Sequence, residues 1–325
     1  MKQYSTKIRS FALASATVSI GLLAGSINAV AQQNDNNLDY ANLKGKVRTL
    51  KVSALKPVEY FGSINDATKS SSLRAYTIFN NKGDKVEQNQ YDEGGQLRGR
   101  ETYEYGRKGN VAEESIYGAD GIIDHVMTYK YDAKGNVAEA AQYGDDGQLS
   151  YKTLYQYDKK GNKIEEDKYN TDGYVVERHT YEYNPEGRPT AEYIYGSDGQ
   201  LSHKMAYKYD PKGHLIEEAR YLPDSRLVFM YAYQYNGKGK IAEINRYNAA
   251  GKLSYKTVYK YDSKGNVAEE ARYNADGTTD YKKVYKYDFD NKGNWVKRIK
   301  FDSEMKNPAL ITERKIEYFG LFGGM

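Results

Sequence analysis

Polar and apolar residues alternate along most of the chain, and Tyr fills many of the apolar positions. Pairs of Tyr separated by one residue recur every 26 residues between positions 103 and 287. Each unit also contains two segments with a Gly four residues after a Tyr, such as Y-D-A-K-G-N-V at 131–137 and Y-G-D-D-G-Q-L at 143–149. Alternation with period two indicates β-strands, and a Gly at this place suits a type I turn closed by a bulge. The sequence therefore predicts two strands and two tight hairpin turns in every unit.

The numbering of the tyrosines extends this pattern to the faces of the sheet. Between residues 91 and 287 there are 30 Tyr, of which 29 have odd numbers; Tyr174 is the exception. Side chains of a strand alternate between its two faces, so a repeat of even length keeps odd positions on one face. We expect the tyrosines, together with Val137 and Leu149, to line one face and a Lys-rich set to line the other.

The predicted fold is all-β, a long antiparallel β-meander of hairpin repeats over residues 76–301. Roughly 17 strands at about 4.8 Å spacing would form a twisted and curled sheet or an open trough. Residues 32–75 are predicted to be an N-terminal cap and loop, and 302–325 a C-terminal cap strand and tail. Both predictions follow because the ends of such arrays have to cover exposed strand edges.

Residues 1–31 have the three parts of a signal peptide. A basic start is followed by a mostly apolar run at 11–27 and by the small residues Ala29-Val30-Ala31. Ser and Thr within the run make an uncleaved membrane anchor the weaker interpretation. We expect a mature chain that does not span a membrane and is exported to the periplasm, the cell surface or the surroundings of the cell.

Removal of this signal changes the charge of the chain. The sequence holds 48 Lys+Arg and 44 Asp+Glu, and residues 1–31 hold three basic and no acidic residues. The mature chain then has 45 basic and 44 acidic residues, a net charge of +1. Binding to nucleic acid draws on a surplus of cations, so no nucleic-acid partner is expected.

Cys and His are too few or too scattered to predict a metal or cofactor. The chain has no Cys, which excludes disulfides, thiolate zinc sites and iron–sulfur clusters. His125 and His203 share one column but lie three repeats apart, and His179 and His214 lie in other columns. No metal site, catalytic dyad or cofactor is therefore predicted.

A column of Glu is the most regular polar feature of the odd-numbered positions. Counting through the hairpins places Glu139 opposite Tyr129 and Thr153. Two interpretations remain open: a structural ladder in which Tyr hydroxyls donate to the carboxylates, and a groove that binds carbohydrate. A glycosidase needs two carboxylates in distinct environments, so a column of equivalent ones does not predict an enzyme. The candidate binding residues are Tyr129, Glu139, Tyr155, Glu165, Tyr181, Tyr207, Glu217, Tyr233, Glu243, Tyr259 and Glu269.

The repeat sequence resembles that of RHS/YD-repeat proteins. The segments Y-K-Y-D-A-K-G-N-V (129–137), Y-E-Y-N-P-E-G-R-P (181–189) and Y-K-Y-D-S-K-G-N-V (259–267) are similar to the family pattern Y-x-Y-D-x-x-G-R/N-L. The resemblance implies strands that spiral as hairpins, which in large members form a hollow shell. The period here is longer than the usual one of the family. The expectation is a short, free-standing exported member of the kind found in Gram-negative gut bacteria.

These patterns lead to a hypothesis of function with two rivals. The first is a non-enzymatic exported scaffold that presents an extended Tyr-rich face to a glycan or protein partner in the envelope or outside the cell. The alternative is a lectin-like, carbohydrate-binding module that uses the Tyr and Glu side chains of this face. A third hypothesis is self-assembly through the edges of the sheet.

Overall fold

A computed structural model describes residues 43–55, 59–60, 63–64, 71–301 and 308–320 of the chain. The signal peptide predicted at 1–31 lies outside the described residues. Within them, no helix is long and apolar enough to cross a membrane.

The described residues form strands joined mostly by tight turns. The first strands are β1 (Val47–Leu55), β2 (Glu59–Tyr60), β3 (Ser63–Ile64), β4 (Ser72–Phe79), β5 (Lys85–Tyr91), β6 (Leu97–Tyr105), β7 (Val111–Tyr117), β8 (Ile123–Tyr131), β9 (Val137–Gly144), β10 (Leu149–Tyr157) and β11 (Lys163–Tyr169). They are followed by β12 (Val175–Tyr183), β13 (Pro189–Gly196), β14 (Leu201–Tyr209), β15 (Leu215–Tyr221), β16 (Leu227–Tyr235), β17 (Ile241–Asn248), β18 (Leu253–Tyr261), β19 (Val267–Asn274), β20 (Thr279–Phe289), β21 (Trp295–Phe301) and β22 (Pro308–Tyr318).

Strand pairing closes the sheet on itself. Each strand from β4 to β21 pairs antiparallel with the next strand, and β1 pairs antiparallel with both β4 and β22. Twenty strands thus form a closed β-barrel, while β2 and β3 pair with each other. The all-β antiparallel meander is confirmed, but the open trough or curled sheet is wrong. The reason is that the two end segments, expected to cap separate edges, pair with one another through β1 and β22.

The hairpin turns have the predicted chemistry. At 131–137 the amide of Gly135 donates to the carbonyl of Asp132 (3.1 Å), and the amide of Asp132 donates to the carbonyl of Asn136 (2.8 Å). Gly135 has a φ of +91°, and a Cβ there would meet open space. The Gly is therefore required by its backbone conformation rather than by packing. The Asp132 carboxylate accepts the Asn136 amide (2.8 Å) and so fixes the turn from inside.

A β-bulge follows each of these turns and changes the faces of the strands. In the hairpin of β8 and β9, Tyr131 lies opposite Val137, but Lys130 lies opposite Glu139, so one residue of β9 has no partner. The same shift occurs in the next hairpin, where Leu149 lies opposite Tyr143 and the following pair is displaced by one residue. Each extra residue exchanges odd and even positions between the faces, and the second exchange restores the first.

The two faces of the barrel wall therefore differ from the prediction. We call the face that carries the first Tyr pair of each unit, such as Tyr129 and Tyr131, the Tyr face, and the face that carries Lys130 the Lys face. Tyr143, Leu149 and their equivalents lie on the Lys face, since Tyr143 lies opposite Val126. The expectation that all odd-numbered tyrosines share one face is wrong, because the parity count omitted the bulges. The tyrosines equivalent to Tyr143 recur every 26 residues and are Tyr91, Tyr117, Tyr169, Tyr195, Tyr221, Tyr247 and Tyr273.

The closing strands pack more tightly than the repeats. We call β1, β4 and β22 the seam, and β5–β21 the repeat wall. Leu50 of β1 is 0% exposed and lies opposite Ile316 of β22 and Thr77 of β4. Val52 is also fully buried, opposite Arg314 and Ala75. The seam thus holds the two largest fully buried aliphatic side chains of the described residues, whereas the most deeply buried apolar residues of the repeat wall are small, such as Ala219 and Ala271.

Polar contacts join the chain just before β1 to the turn before β21 and to the end of β22. The side chain of Asn294, in the turn before β21, donates to the carbonyl of Lys44 (2.8 Å) and to the hydroxyl of Tyr318 (2.7 Å). Its carbonyl oxygen accepts the amide of Lys44 (2.6 Å). Tyr318 in turn donates to Asp290. These contacts tie both ends of the barrel sequence to one turn.

Candidate binding face

The Tyr face carries a ladder of tyrosines and carboxylates. Tyr129 donates to Glu114 (3.3 Å) and Tyr233 donates to Glu218 (3.0 Å), in each case across 15 residues of sequence. Each of these Glu lies opposite the first Tyr of the preceding strand, so its carboxylate is held between two rings. The same contact joins Tyr181 to Glu166 (3.4 Å) and Tyr207 to Glu192 (3.2 Å).

The second Tyr of seven of the eight pairs bonds to the backbone instead. The hydroxyl of Tyr131 donates to the carbonyl of Val111 (2.7 Å), 20 residues earlier. The bond recurs for Tyr105, Tyr157, Tyr183, Tyr235, Tyr261 and Tyr287, at 2.6–3.0 Å. Each ring packs over the preceding strand, and its hydroxyl satisfies the carbonyl of the first residue of that strand. This need for a hydroxyl explains why Tyr rather than Phe recurs here.

Burial shifts the pKa values of the ladder groups. It raises the pKa of Tyr129 and Tyr233 well above the usual range, and nearby carboxylates add to the rise. Burial also raises the pKa of Glu114 and Glu218, although hydrogen bonds from Tyr oppose that shift. The ladder carboxylates are therefore partly desolvated groups whose charge is supported by hydroxyl donors.

Glu192 differs from the other ladder carboxylates because it bonds to a His. His179 contacts Glu192 through Nδ1 (2.8 Å) and Glu177 through Nε2 (3.0 Å). Burial alone would lower the pKa of His179, but the two carboxylates outweigh it and raise that pKa. For Glu192 burial would raise the pKa, yet the bond from His179 leaves it lowered. This rung is thus an ion pair with a His, whereas Glu166 on one side pairs with Lys163 (2.5 Å) and Glu218 on the other accepts from Tyr233 (3.0 Å).

The structure separates the candidate Tyr residues from the candidate Glu residues. Tyr129, Tyr155, Tyr181, Tyr207, Tyr233 and Tyr259 all lie in one column of the Tyr face, as predicted. The candidate Glu residues lie on the Lys face, so the pairing of Glu139 with Tyr129 is wrong. The cause is the bulge after each turn. Their actual pairs are Lys130–Glu139 (2.8 Å), Gln156–Glu165 (2.6 Å), Lys208–Glu217 (2.8 Å), Gln234–Glu243 (3.4 Å) and Lys260–Glu269 (2.9 Å).

Sequence reasoning missed the carboxylates that do face the tyrosines. These are the even-numbered neighbours of the predicted column, namely Glu114, Glu166, Glu192, Glu218 and Glu270. Four of them directly follow another Glu in the sequence. That double Glu was the available signal, because two carboxylates in sequence on a strand must point to opposite faces.

Two further features of the described residues concern charge. No group of three or more His, Cys, Asp or Glu in this part of the chain could hold a metal ion.

A cavity of about 370 Å³ lies on the Lys face over β11–β13, lined in part by Glu165, Arg178 and Tyr195. Arg178 donates to both oxygens of Asp167 (2.6 and 2.7 Å), so its charge is already neutralised.

Comparison with known proteins identifies the family. The family model described as Teneurin YD-shell matches residues 3–234, which is more than two thirds of the chain. A second model, described only as an uncharacterised protein, matches residues 184–311. Among curated proteins none matches the sequence. The chain belongs to the Teneurin YD-shell family, and the resemblance to RHS/YD-repeat proteins is confirmed.

Several solved structures are distantly similar. The crystal structure of TcdB2-TccC3-TEV is 13% identical, with 74% of this chain and 16% of that chain covered and a TM-score of 0.30. The Photorhabdus luminescens Tc holotoxin pore is 12% identical, with 76% and 19% covered and a TM-score of 0.29. A porin-like protein from Bacteroides uniformis is 10% identical, with 85% and 98% covered and a TM-score of 0.35. This chain spans less than a fifth of the length of the first two chains.

Proposed function

We propose that the protein is an exported, non-catalytic repeat scaffold that binds an elongated partner along its Tyr face. Membership of the YD-shell family supports the scaffold, and the sequence of residues 1–31 supports export. Solenoid and array proteins bind extended partners because each repeat adds a similar patch of surface. The partner is a glycan or a protein in the cell envelope or outside the cell.

One observation carries this proposal: the Tyr face holds both a constant row and a variable row. The constant row is the ladder, in which the first Tyr recurs in every unit. We call the variable row the Tyr-face positions that lie four residues before the first Tyr and, on the alternate strands, two residues after the ladder position. On β8, β10, β12, β14, β16, β18 and β20 it holds His125, Tyr151, Glu177, His203, Phe229, Tyr255 and Tyr281. On β7, β9, β11, β13, β15, β17 and β19 it holds Ile116, Gln142, Lys168, Ile194, Arg220, Arg246 and Arg272.

The two rows have different roles: the constant row stabilises the wall, and the variable row is the part that binds the partner. Most hydroxyls of the constant row have partners within the barrel, so these rings stabilise the wall. Residues of the variable row differ between most successive units, although Arg recurs at the last three positions on β15, β17 and β19 and the strand pairing around the row is the same. Variation at equivalent positions of a constant frame is the arrangement with which repeat proteins acquire a ligand.

Carbohydrate binding is the second candidate, and aromatic residues in the variable row favour it. Tyr151, Phe229, Tyr255 and Tyr281 place rings on one face outside the column of first tyrosines, and Tyr281 also donates to the ladder carboxylate Glu270 (2.5 Å). Aromatic faces stack on sugar rings, and polar neighbours can orient the hydroxyls. The Lys-face column of Glu139 and its equivalents takes no part in this version of the hypothesis.

Site-specific photo-crosslinking tests the proposal in the cell that makes the protein. A photoreactive residue is placed at Tyr151 or Tyr255 on the Tyr face, and at Lys208 or Lys260 on the Lys face as matched controls. We expect the same crosslinked product from both Tyr-face positions and none from the Lys-face positions. Products from the Lys face alone, or from neither face, would contradict the proposal.

A glycan array separates the two candidates. The mature chain, residues 32–325, is applied with the Tyr151→Ala/Tyr255→Ala variant and the Lys208→Ala/Lys260→Ala control. Selective glycan binding that only the Tyr-face variant loses, with circular dichroism unchanged, would support the carbohydrate candidate. A crosslinked product without any glycan signal would leave the protein-partner version alone.

A further inference from the structure

The hairpin turns between β4 and β21 lie in two rings at opposite ends of the barrel. Consecutive strands run in opposite directions, so the turns that follow even-numbered strands lie at one end and those that follow odd-numbered strands lie at the other. We call the nine turns that follow β4, β6 and each even-numbered strand up to β20 the first rim, and the eight turns that follow β5, β7 and each odd-numbered strand up to β19 the second rim. Neighbouring turns of one rim are two strand spacings apart, about 10 Å.

The two rims carry opposite charge. The five-residue turns of the first rim, from 80–84 to 290–294, hold 12 Lys or Arg against 7 Asp or Glu, a net charge of +5. The turns of the second rim, from 92–96 to 274–278, hold 9 Asp or Glu against 2 Lys or Arg, a net charge of −7. The mature chain as a whole has a net charge of only +1, so the barrel is an electric dipole along its axis.

The clearest difference between the rims is at the residue directly before the left-handed residue of each turn. In eight of the nine turns of the first rim this residue is a lysine, with Glu186 as the exception: Lys82, Lys108, Lys134, Lys160, Lys212, Lys238, Lys264 and Lys292. In six of the eight turns of the second rim it is an aspartate: Asp120, Asp146, Asp172, Asp198, Asp224 and Asp276.

Turn chemistry alone does not explain this difference in sign. The backbone bond of the turn is the same on both rims, since Gly135 donates to Asp132 (3.1 Å) and Gly147 donates to Gly144 (3.0 Å). Asp146 accepts the amide of Gln148 (2.9 Å), which favours an acid there. The first-rim turn 106–110 also begins with Gly, however, and it has Lys108 at the position of Asp146. The same turn therefore accepts either charge.

The charged side chains of both rims are accessible. The eight Lys and six Asp residues at this turn position are all exposed. The ammonium groups of Lys134 and Lys160 donate to carbonyls of the next turn (3.1 and 3.5 Å), which does not neutralise their charge. On the second rim, Asp224 pairs with Arg226 of its own turn (2.6 Å). Two rings of accessible and opposite charge thus face away from each other.

The second rim also has exposed apolar side chains. Ile122 is 63% exposed and Tyr174 is 71% exposed, the highest values among the large hydrophobic side chains of the described residues. Each directly follows the Gly of a second-rim turn. Aromatic and aliphatic side chains at such exposed positions are typical of surfaces that contact another protein.

We propose that copies of this barrel stack head to tail, with the first rim of one copy on the second rim of the next. The inference is independent of the proposed use of the Tyr face. Both rims belong to the same ring of strands, so their turns have the same spacing and the Lys residues of one copy can meet the Asp residues of the next. One exposed ion pair contributes little, but the rims offer several at once. Because the two contact surfaces lie at opposite ends of each copy, the stack is open-ended.

An anionic membrane is the other surface that a ring of Lys could contact. A membrane would account for the first rim only, whereas a second copy accounts for the charge of both rims. A second copy also offers partners to the exceptions, since Glu186 interrupts the basic series and Arg226 and Lys252 interrupt the acidic one. A net charge near zero further means that whole copies do not repel each other.

Sedimentation velocity of the mature chain, residues 32–325, tests the inference. At low salt we expect the sedimentation coefficient to rise with protein concentration beyond the value of a dimer, because an open-ended stack has no last step. At about 1 M salt, where the Debye length is about 3 Å, we expect monomers. Electron microscopy at low salt should show straight columns with an axial repeat of about 30 Å, the length of a nine-residue strand.

Neutral variants separate contact between the rims from a general effect of charge. Removal of four Lys from the first rim should weaken association about tenfold or more, since several ion pairs are lost together. Removal of four Lys from the Lys face should leave association unchanged, although the loss of charge is equal. The first-rim variant is Lys108→Gln/Lys134→Gln/Lys160→Gln/Lys212→Gln, and the control is Lys130→Gln/Lys208→Gln/Lys260→Gln/Lys286→Gln.

Exchange of charge between the rims gives the sharpest test. One variant makes the first rim acidic and the other makes the second rim basic, so each should stay monomeric alone, with an unchanged thermal melting curve. An equimolar mixture should form columns again, because acidic rims then meet basic ones. The two variants are Lys108→Glu/Lys134→Glu/Lys160→Glu/Lys212→Glu and Asp120→Lys/Asp145→Lys/Asp146→Lys/Asp172→Lys/Asp198→Lys.

Several outcomes would overturn the inference. These are a monomer or a closed dimer at low salt, columns that either charge-exchanged variant still forms alone, a mixture that gives no columns, and an equal loss in the Lys-face control. Binding to vesicles of anionic lipid that the first-rim variant loses, without columns, would replace the second copy by a membrane surface. Crosslinking at Tyr151 and Tyr255 does not depend on any of these results, so the proposed function is judged separately.

Discussion

The seam and the repeat wall belong to one barrel but are stabilised by different interactions. In the seam, Leu50 and Val52 are completely buried, as in the core of a globular domain. In the wall, most tyrosines are half-buried, and many of the hydroxyls on the Tyr face have a defined acceptor, such as Glu218 for Tyr233. A single layer of strands cannot remove aliphatic side chains from water on both faces. Large rings with a polar tip solve this problem, because they cover the neighbouring strand and keep their hydroxyl satisfied.

This difference shows that the wall is held by contacts that recur with the repeat, whereas the seam is held by contacts that occur once. The wall must use contacts that can be repeated, so it relies on similar Tyr hydrogen bonds in most units. The seam is formed once, and its sequence needs no period. Its core joins segments that are more than 250 residues apart, as in the pair Leu50–Ile316.

The largest expected effect comes from the core of the seam. Leu50→Ala should lower the free energy of unfolding by about 2–5 kcal/mol, the usual range for a fully buried Leu. Leu154→Ala, at a half-buried position on the Lys face of the wall, should cost clearly less. Urea denaturation of both variants measures the difference. Equal losses would show that the seam is no more important for stability than the wall.

The ladder should give two carboxylates with opposite pH dependence. The folded-state pKa of Glu218 is raised above 4.5 by burial, so its ionisation costs stability as the pH rises through that pKa. The pKa of Glu192 is lowered because the bond to His179 outweighs burial, so its contribution is present above 4.5 and is lost as the pH falls. His179, whose pKa is raised above 6.5, contributes fully below 6.5 and loses this effect at higher pH.

Replacement of each carboxylate by its neutral amide tests these signs. Relative to the wild type, Glu218→Gln should gain stability as the pH rises above 4.5. Glu192→Gln should lose stability, most strongly between 4.5 and 6.5, where both partners of the ion pair are charged. Urea denaturation at several pH values from about 3 to about 8 measures both. Parallel curves for the two variants would contradict the different environments of the two rungs.

A smaller effect is expected at the one described turn that lacks the usual Gly. Ser225 has a φ of +66°, and its amide donates to the carbonyl of Leu222 as the Gly of other turns does. Ser225→Gly should therefore stabilise the barrel by about 1 kcal/mol, since a left-handed conformation costs a residue with a Cβ roughly that amount. The reverse change Gly251→Ser, at a φ of +70°, should destabilise it by a similar amount. The melting temperatures of the two variants measure these effects. Shifts of the same sign in both would refute the explanation by backbone conformation.

The smallest effect is expected on the Lys face. Lys260 contacts Glu269 at 2.9 Å, but the Lys side chain is 66% exposed. Exposed ion pairs contribute little, so Lys260→Gln should hardly change the melting temperature at moderate salt. A loss comparable to that of Leu50→Ala would mean that the Lys face stabilises the wall in a way its exposure does not suggest.

The sequence was sufficient for local structure and insufficient for long-range structure. Strands and turns were predictable because Gly135 and its equivalents set each turn through neighbouring residues only. The Glu column was placed on the wrong face because the unpaired bulge residue has no common identity: it is Ala138 after one turn and Ser150 after the next. Closure of the barrel was missed because β1 and β22 share no pattern with the repeats or with one another.

The even number of strands in each unit limits how the number of strands in such a barrel can change. A 26-residue unit adds two antiparallel strands and two bulges, so β1 still meets β22 in the same direction and with the same faces after any whole number of units. The circumference would change in steps of about 10 Å, and the diameter in steps of about 3 Å. Gene duplication could therefore vary the width of the barrel, unit by unit, while the two strands that close it stay unchanged.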